Sequence, residues 1–324
     1  MIKPTRAGEA SPSATGGGSP VAAGATESPA TSADTAVRVR SLLPSLPPAE
    51  RRVGQRLVDD PGRVANSTIT ELAQACGTSE TTIIRFCRAI GFSGYPELRL
   101  TLATEAGRAE GEGHGHRVIG NDIGPDDTLE QVVEKIAYAD ARAVEETAGQ
   151  LDAATLERVV DALAAAAKID IYGVGASAFV AYDFQQKLHR IGRISYAWAD
   201  THIALTSAAL LRSGDVAVGI SHTGVTSDTV DALAEARKQG ATTVALTNFP
   251  RSPVAKAADY ILTTAARETT FRSGATASRL AQLMVVDCMF VGVAQRTYDQ
   301  TRSALASTRE AVQERRLEPE RGHS

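Results

Sequence analysis

The stretch that most constrains the fold lies between residues 169 and 263. Five short apolar runs occur there, "IDIYG", "ISYAW", "DVAVGI", "TTVALT" and "DYILT", and segments of helical character separate them. Each run is too short for a helix. Strands that alternate with helices build a parallel sheet with crossover helices. Two helical patterns precede the first run. One carries Leu129, Val132, Val133 and Ile136, and the other Leu156, Val159, Val160 and Leu163. Both repeat at i, i+3, i+4, i+7, the stripe of an amphipathic helix. The expected architecture for this part is an α/β doubly wound domain with a five-stranded parallel sheet.

Other parts of the chain differ in composition. Of the first 36 residues, 28 are Ala, Gly, Ser, Thr or Pro. Such a segment buries too little apolar surface to offset its ordering entropy, so residues 1–36 are expected to be a disordered tail. Apolar periodicity begins near Val37. A second breaker-rich stretch, "GRAEGEGHGHRVIGNDIGPDD", predicts a linker over 107–127. His114 and His116 fall inside it with nothing nearby to complete a metal ligand set. The predicted domains are thus an α-helical one at 37–106 and the α/β one at 128–300, followed by a helical or disordered tail at 301–324.

Within the first domain, "STITELAQACGTSETTIIRFCRAIGF" (67–92) reads as helix-turn-helix. Thr68 and Glu71 form a capping box. Leu72, Ala73 and Cys76 make one apolar face, and Gly77 suits the tight turn. A second helix, opened by Thr78 or Ser79, turns Ile83, Phe86, Cys87 and Ile90 inward. Ser79, Glu80, Thr81, Thr82, Arg85 and Arg88 are left on its outer face. Short hydroxyls at the first turn, with arginines further along, suit a helix lying in the major groove of duplex DNA.

Two loops of the second domain share one design. "IYGVGASAFVAYDFQQKL" (171–188) and "VGISHTGVTSDTV" (218–230) each run from strand through glycine and hydroxyls into helix. In a parallel sheet both loops emerge at the carboxyl ends of strands, where ligands bind. Helix N-termini there offer unpaired N–H groups to an anion, and Ser/Thr hydroxyls complete its shell. Gly173, Gly175, Ser177, Ser221, Thr223, Gly224 and Thr226 are therefore the candidate phosphate cradle, and His222 either faces the ligand or is exposed. Ser227 reads as an ordinary N-cap. "GVGASA" also satisfies a dinucleotide fingerprint, with Asp200 as its ribose acid, but Asp200 stands 27 positions past Gly173 rather than about 20, and that reading leaves the second loop unexplained. Glu268 is a candidate base that solvation would also explain, and His189 and His202 are packed, capping or ligand histidines.

"TSETTIIRFCRAIGFSGYPELRLTLA" resembles the DNA-binding domain of the RpiR/MurR family of bacterial sugar-responsive regulators. The residues that carry the resemblance are Ser79, Thr82, Arg85, Phe86, Gly91, Phe92, Gly94, Tyr95, Glu97, Leu98 and Leu102. The region 128–300 resembles a SIS (sugar isomerase) domain, a flavodoxin-like fold. Gly173, Gly175 and Ser177 match its first loop. Ser221, Thr223, Gly224 and Thr226 match its S-x-S-G-x-T loop, with Thr in place of the second Ser. "FRSGATASRLAQLMVVD" (271–287) is similar to the closing helix of the regulators. The resemblance implies sugar-phosphate binding by both loops and dimerisation.

Charge and cysteine usage fit this reading. The net charge is −4, but residues 37–110 hold ten Arg against eight Asp and Glu, so the mild positive excess lies with the helix-turn-helix. Cys76, Cys87 and Cys288 lack ligand spacing and read as reduced core cysteines. No apolar run reaches the ~18 residues of a membrane span; the longest, "LAQLMVVDCMFVGVA", carries Asp287 in its middle. The chain is expected to be a cytoplasmic, non-enzymatic transcriptional regulator without cofactor or membrane contact. Its expected partners are a double-stranded DNA operator, a phosphorylated sugar effector and further copies of itself, as a homodimer or higher homo-oligomer. The alternative is a sugar-phosphate isomerase or etherase with an appended helical domain.

Overall fold

A computed structural model describes residues 35–111, 123–268, 272 and 277–313. Six helices come first: α1 (Thr35–Leu42), α2 (Pro48–Asp59), α3 (Pro61–Asn66), α4 (Ile69–Ala75), α5 (Glu80–Ala89) and α6 (Tyr95–Gly111). Their shared core includes Val39, Leu57, Val64, Leu72, Ile83, Phe86, Cys87 and Leu98. The boundaries differ from expectation at both ends. Thr35 and Ala36, assigned to the tail, are buried in α1, and the Thr35 hydroxyl donates to Glu105 at 2.7 Å. At the other end α6 continues through residues 107–111, assigned to the linker. Ala, Glu and Arg are good helix formers, and a single interior Gly costs only about 1 kcal/mol. His114 and His116 lie outside the described residues, as do residues 1–34 and 314–324.

The α/β part opens with α7 (Leu129–Gln150) and α8 (Ala153–Ala165). It continues as β1 (Ile169–Tyr172), α9 (Ala176–Arg190), β2 (Ser195–Trp198), α10 (Thr201–Ala208), β3 (Val216–Ile220), α11 (Ser227–Lys238), β4 (Thr242–Thr247), α12 (Pro253–Lys256) and β5 (Tyr260–Thr263). Helices α13 (Ser278–Arg296) and α14 (Tyr298–Gln313) close it. All five predicted strands are present, in the order β2-β1-β3-β4-β5, every pair parallel. The chain winds outward in one direction from β1 and in the other from β3. The switch point therefore falls between these two neighbours, where open α/β sheets bind ligands.

The alternating side chains of the strands feed two cores. Ile169, Ile171, Val218, Ile220, Val244 and Leu246 pack on one face with Val159 and Leu163 of α8, Val180 and Phe184 of α9, and Val285 and Met289 of α13. Tyr172, Ala217 and Ala245 pack on the other with Ala204 and Ala208 of α10 and Ala232 and Leu233 of α11. Asp170 of β1 is fully buried, and Ser207 donates to it at 2.6 Å while Lys168 lies 3.3 Å away. The α8 stripe is buried as its period implies. The α7 stripe is not: Leu129 is 84 % and Val133 67 % exposed.

The two parts touch within one compact unit. Arg40 of α1 donates to Glu146 of α7 at 2.9 Å, both side chains nearly buried. Arg251, just after β4, donates to the carbonyl of Ala89 at the last turn of α5 at 3.1 Å. No described helix is long and apolar enough to cross a membrane.

Candidate effector loops and nucleic-acid interface

The two hydroxyl loops leave β1 and β3, adjacent strands, at their carboxyl ends. Gly175 is the N-cap of α9 at φ +58 and provides no side-chain cap. Gly173 lets the chain close up, since a β-carbon there would lie 2.9 Å from the Ser177 carbonyl oxygen. Ser177 is buried. The second loop is a tight turn. Ser221, buried, accepts from the Gly224 N–H at 3.1 Å and lies 3.2 Å from the Thr226 hydroxyl. Thr223 points outward and accepts weakly from the Val225 N–H at 3.4 Å.

The N-cap of α11 is Thr226, with no side-chain cap bond, whereas Ser227, read as the cap from the sequence, is the first helical residue. Residue 226 is the last with extended backbone, and that conformation defines the cap. By contrast Thr68, Ser79, Thr128, Asp152 and Asp200 each cap their own helix with a side chain. The N-cap residues of α9 and α11 thus make no side-chain cap bond at the switch point, where an anion has most to gain, although the Asp228 carboxylate in the first turn of α11 bonds Thr201 and its own N–H.

His222 is buried, which removes the exposed alternative. Its ring meets Phe249 edge-on at 5.7 Å, and its Nδ1 has no hydrogen-bond partner among the described residues. Burial lowers its proton affinity, and the Glu268 carboxylate opposes this. Glu268 is half-buried rather than solvated, and it accepts from the Ser278 N–H at the start of α13 at 3.1 Å. His189 is exposed at its residue surface but tied down, its Nε2 2.6 Å from the Ser195 carbonyl oxygen, and His202 is exposed. The dinucleotide alternative loses its acid: Asp200 accepts from the Ile203 N–H at 3.0 Å as the cap of α10, and the cleft beside it holds only about 10 Å³. No group of three His, Cys, Asp or Glu able to hold a metal occurs among the described residues.

The helix-turn-helix forms as read. The Thr68–Glu71 capping box is complete, Ser79 caps α5, and Gly77 makes the turn at φ +57. Arg52 of α2 locks the turn, donating to the carbonyls of Cys76 and Gly77 at 3.0 Å each. Ser79, Glu80, Thr81, Arg85 and Arg88 are exposed and Thr82 half-buried. Some of these groups are engaged within the protein: Glu80 accepts from Thr70 at 2.6 Å, and the Ser79 and Thr82 hydroxyls lie 3.1 Å apart. The Arg85 and Arg88 guanidiniums make no hydrogen bond or ion pair among the described residues, which leaves them available to phosphate or base edges. Tyr95 braces the motif from below. Its hydroxyl donates to the carbonyls of Val64 and Ser67 at 3.0 Å, and burial pushes its pKa up to about 12. The three cysteines are free thiols, with Cys76 and Cys87 in the core.

Sequence reasoning missed Arg40, Asn248, Phe249 and Arg251. Asn248, buried, accepts from the Ala266 N–H at 2.8 Å and holds the ends of β4 and β5 together beneath His222. These residues come from separate elements and form no motif. The only local signal is the polar end of "TTVALTNF" at a strand terminus.

Comparison with known proteins gives the same two parts. Residues 34–108 match the helix-turn-helix domain of the rpiR family, and residues 162–292 match the SIS domain. An uncharacterized HTH-type transcriptional regulator of Caldanaerobacter subterraneus subsp. tengcongensis is 40 % identical over 284 residues, covering 88 % of this chain and 99 % of that protein. The Bacillus subtilis uncharacterized HTH-type transcriptional regulator YbbH is 34 % identical over 280 residues, covering 86 % and 97 %. Among solved structures, the Vibrio vulnificus NanR protein complexed with ManNAc-6P matches with a TM-score of 0.56 at 28 % identity, over 88 % of this chain and 100 % of that one. With the two domains in this order and similarity to HTH-type transcriptional regulators over 88 % of its length, the chain belongs to the RpiR family of helix-turn-helix transcriptional regulators that carry a SIS domain.

Proposed function

We propose that this regulator binds an operator through the outer face of α5 and senses a phosphorylated sugar at the two hydroxyl loops. One observation carries the effector reading. At the switch point of the sheet, the loops Gly173–Ser177 and Ser221–Thr226 open onto two helices whose N-cap residues make no side-chain cap bond. Glycine backbone, hydroxyls and helix amides together suit a phosphate dianion. The phosphosugar in the similar Vibrio vulnificus structure supports the same class of ligand. Ser177, Ser221, Thr223 and Thr226 would hold the phosphate, with Gly173, Gly175 and Gly224 allowing close approach and His222 beside the sugar. Ser79, Glu80, Thr81, Thr82, Arg85 and Arg88 would face DNA.

The protein acts as a switch rather than an enzyme in this reading, in the cytoplasm with the chromosome, and without a cofactor. The exposed α7 stripe supports self-association into a dimer or larger homo-oligomer. Operator affinity measured by mobility shift, with and without a panel of hexose, pentose and N-acetylhexosamine phosphates, tests the proposal. An effector should change that affinity by about 5- to 150-fold, the usual range of coupling between sites. A turnover assay on the same panel should show no product. No response to any phosphosugar, or steady isomerisation of one, overturns it.

A further inference from the structure

The loop that carries Ser221 and Thr223 also forms part of a second space. A cavity of about 430 Å³ lies between the helical part and the carboxyl edge of the sheet. Arg40, Gln55 and Asp59 face it from α1 and α2, and His222, Phe249 and Glu268 face it from the ends of β3, β4 and β5. The volume suits a small ligand, and the mix of carboxylate, amide, guanidinium and an aromatic ring suits a polyhydroxylated one.

Among the described residues, two buried polar atoms lack partners here, one on each wall. His222 is 8 % exposed, and its Nδ1 meets no hydrogen-bonding group. The Arg40 side chain is 12 % exposed; its Nη1 binds Glu146, but its Nε is equally unmet. Buried polar atoms are normally satisfied, and each one left open is destabilising. Arg40 Nε can only donate, and neutral His222 Nδ1 can accept. The hydroxyls of a polyol supply both kinds of group, accepting from the first and donating to the second, which an apolar molecule cannot do.

We propose that the sugar end of the effector occupies this cavity, so that Arg40 and Gln55 of the DNA-binding half read its hydroxyls while the hydroxyl loops hold its phosphate. The inference rests on the phosphosugar reading above and adds that the effector bridges the two halves. Whatever binds across both walls biases how the DNA-binding half docks, and linkage makes that bias reciprocal. Effector specificity is then written partly in the helical domain.

The test is calorimetry of the full chain with the same phosphosugar panel and with inorganic phosphate. The variants are Arg40→Lys, which keeps the charge facing Glu146 but lacks the Nε donor, Gln55→Trp, which fills the cavity from an exposed position, and Thr223→Ala. Melting temperature serves as the folding control. The expected result is that Arg40→Lys and Gln55→Trp weaken the responding phosphosugar at least tenfold and leave inorganic phosphate unchanged, whereas Thr223→Ala weakens both. If the two junction variants bind that phosphosugar like wild type while Thr223→Ala weakens it, the effector is confined to the loops and this inference fails alone. If no phosphosugar binds, or Thr223→Ala changes nothing, the effector reading fails and takes this inference with it.

Discussion

At Gly224 the backbone turns at φ +66, and a methyl group there would lie 2.1 Å from Ser252 Oγ and 2.9 Å from Thr247 Oγ1. Gly224→Ala combines a left-handed backbone with a clash, so it should destabilise the protein by ~1–3 kcal/mol, read as a lower melting temperature. The neighbouring Thr223 behaves oppositely. It is exposed and supports little structure, so Thr223→Ala should leave the melting temperature unchanged. If the cradle reading holds, it removes a charge-assisted hydrogen bond of about 1.5–3 kcal/mol and weakens the phosphosugar roughly ten- to a hundredfold. His222 gives a pH signature. Burial lowers its proton affinity in the folded protein, whereas the unfolded chain takes up the proton near pH ~6.5. Below that pH the unfolded state binds more protons, so stability falls as the pH drops and levels off below the folded-state pKa. Thermal unfolding from pH 8 to 5 should show this slope in wild type and a shallower one in His222→Asn.

Among the elements, α5 and α7 differ in how completely the sequence describes them. The inward residues of α5 were legible because Ile83, Phe86, Cys87 and Ile90 repeat at helical spacing, and all four are buried. Its outward arginines follow by elimination. Arg85→Ala should weaken operator binding by ~1–3 kcal/mol and relax preference at one base pair if the guanidinium reads a base. A phosphate contact would instead weaken all sequences alike and reduce the salt slope by about one. Titrations at several salt concentrations on operator and mismatched DNA separate these outcomes, and unchanged binding throughout removes α5 from the groove. For α7 the period gives the helix but not its partner, because a stripe is the same whether it meets its own chain or another. Leu129 and Val133 find no cover among the described residues of the single chain. Leu129→Glu with Val133→Glu should therefore shift sedimentation towards the monomer and leave the melting of the α/β core intact.

For the whole molecule, the Arg40–Glu146 pair joins the halves in a nearly dry setting, and Glu146 also accepts from Arg142 of its own helix at 3.2 Å. Removing one partner of a buried pair strands the other, at about 3 kcal/mol, while replacing both with apolar residues is often neutral. Glu146→Leu takes a partner from both Arg40 and Arg142 and should lower the unfolding free energy substantially, and Arg40→Met with Glu146→Leu should recover the part due to the stranded Arg40, since half-exposed Arg142 keeps Glu145, as a double-mutant cycle in denaturant would show. Nothing in "VRVRSLLP" or "ARAVEETAG" announces this pair, since its partners are 106 positions apart. A still longer separation hides the cavity that Arg40 shares with His222.

The sequence by itself determined the elements and much of the loop chemistry: period 2 or 3.6 sets strand or helix, capping residues set where α4 and α5 begin, and glycines with hydroxyls mark the two turns. These signals are local, and local backbone physics suffices to read them. Tertiary structure alone decided that Asp200 caps a helix instead of awaiting a ribose, that His222 is enclosed beside Phe249, and that α1 and α2 wall the carboxyl edge of the sheet. Each of these depends on which distant surfaces meet, and burial and unmet hydrogen bonds arise only once they do.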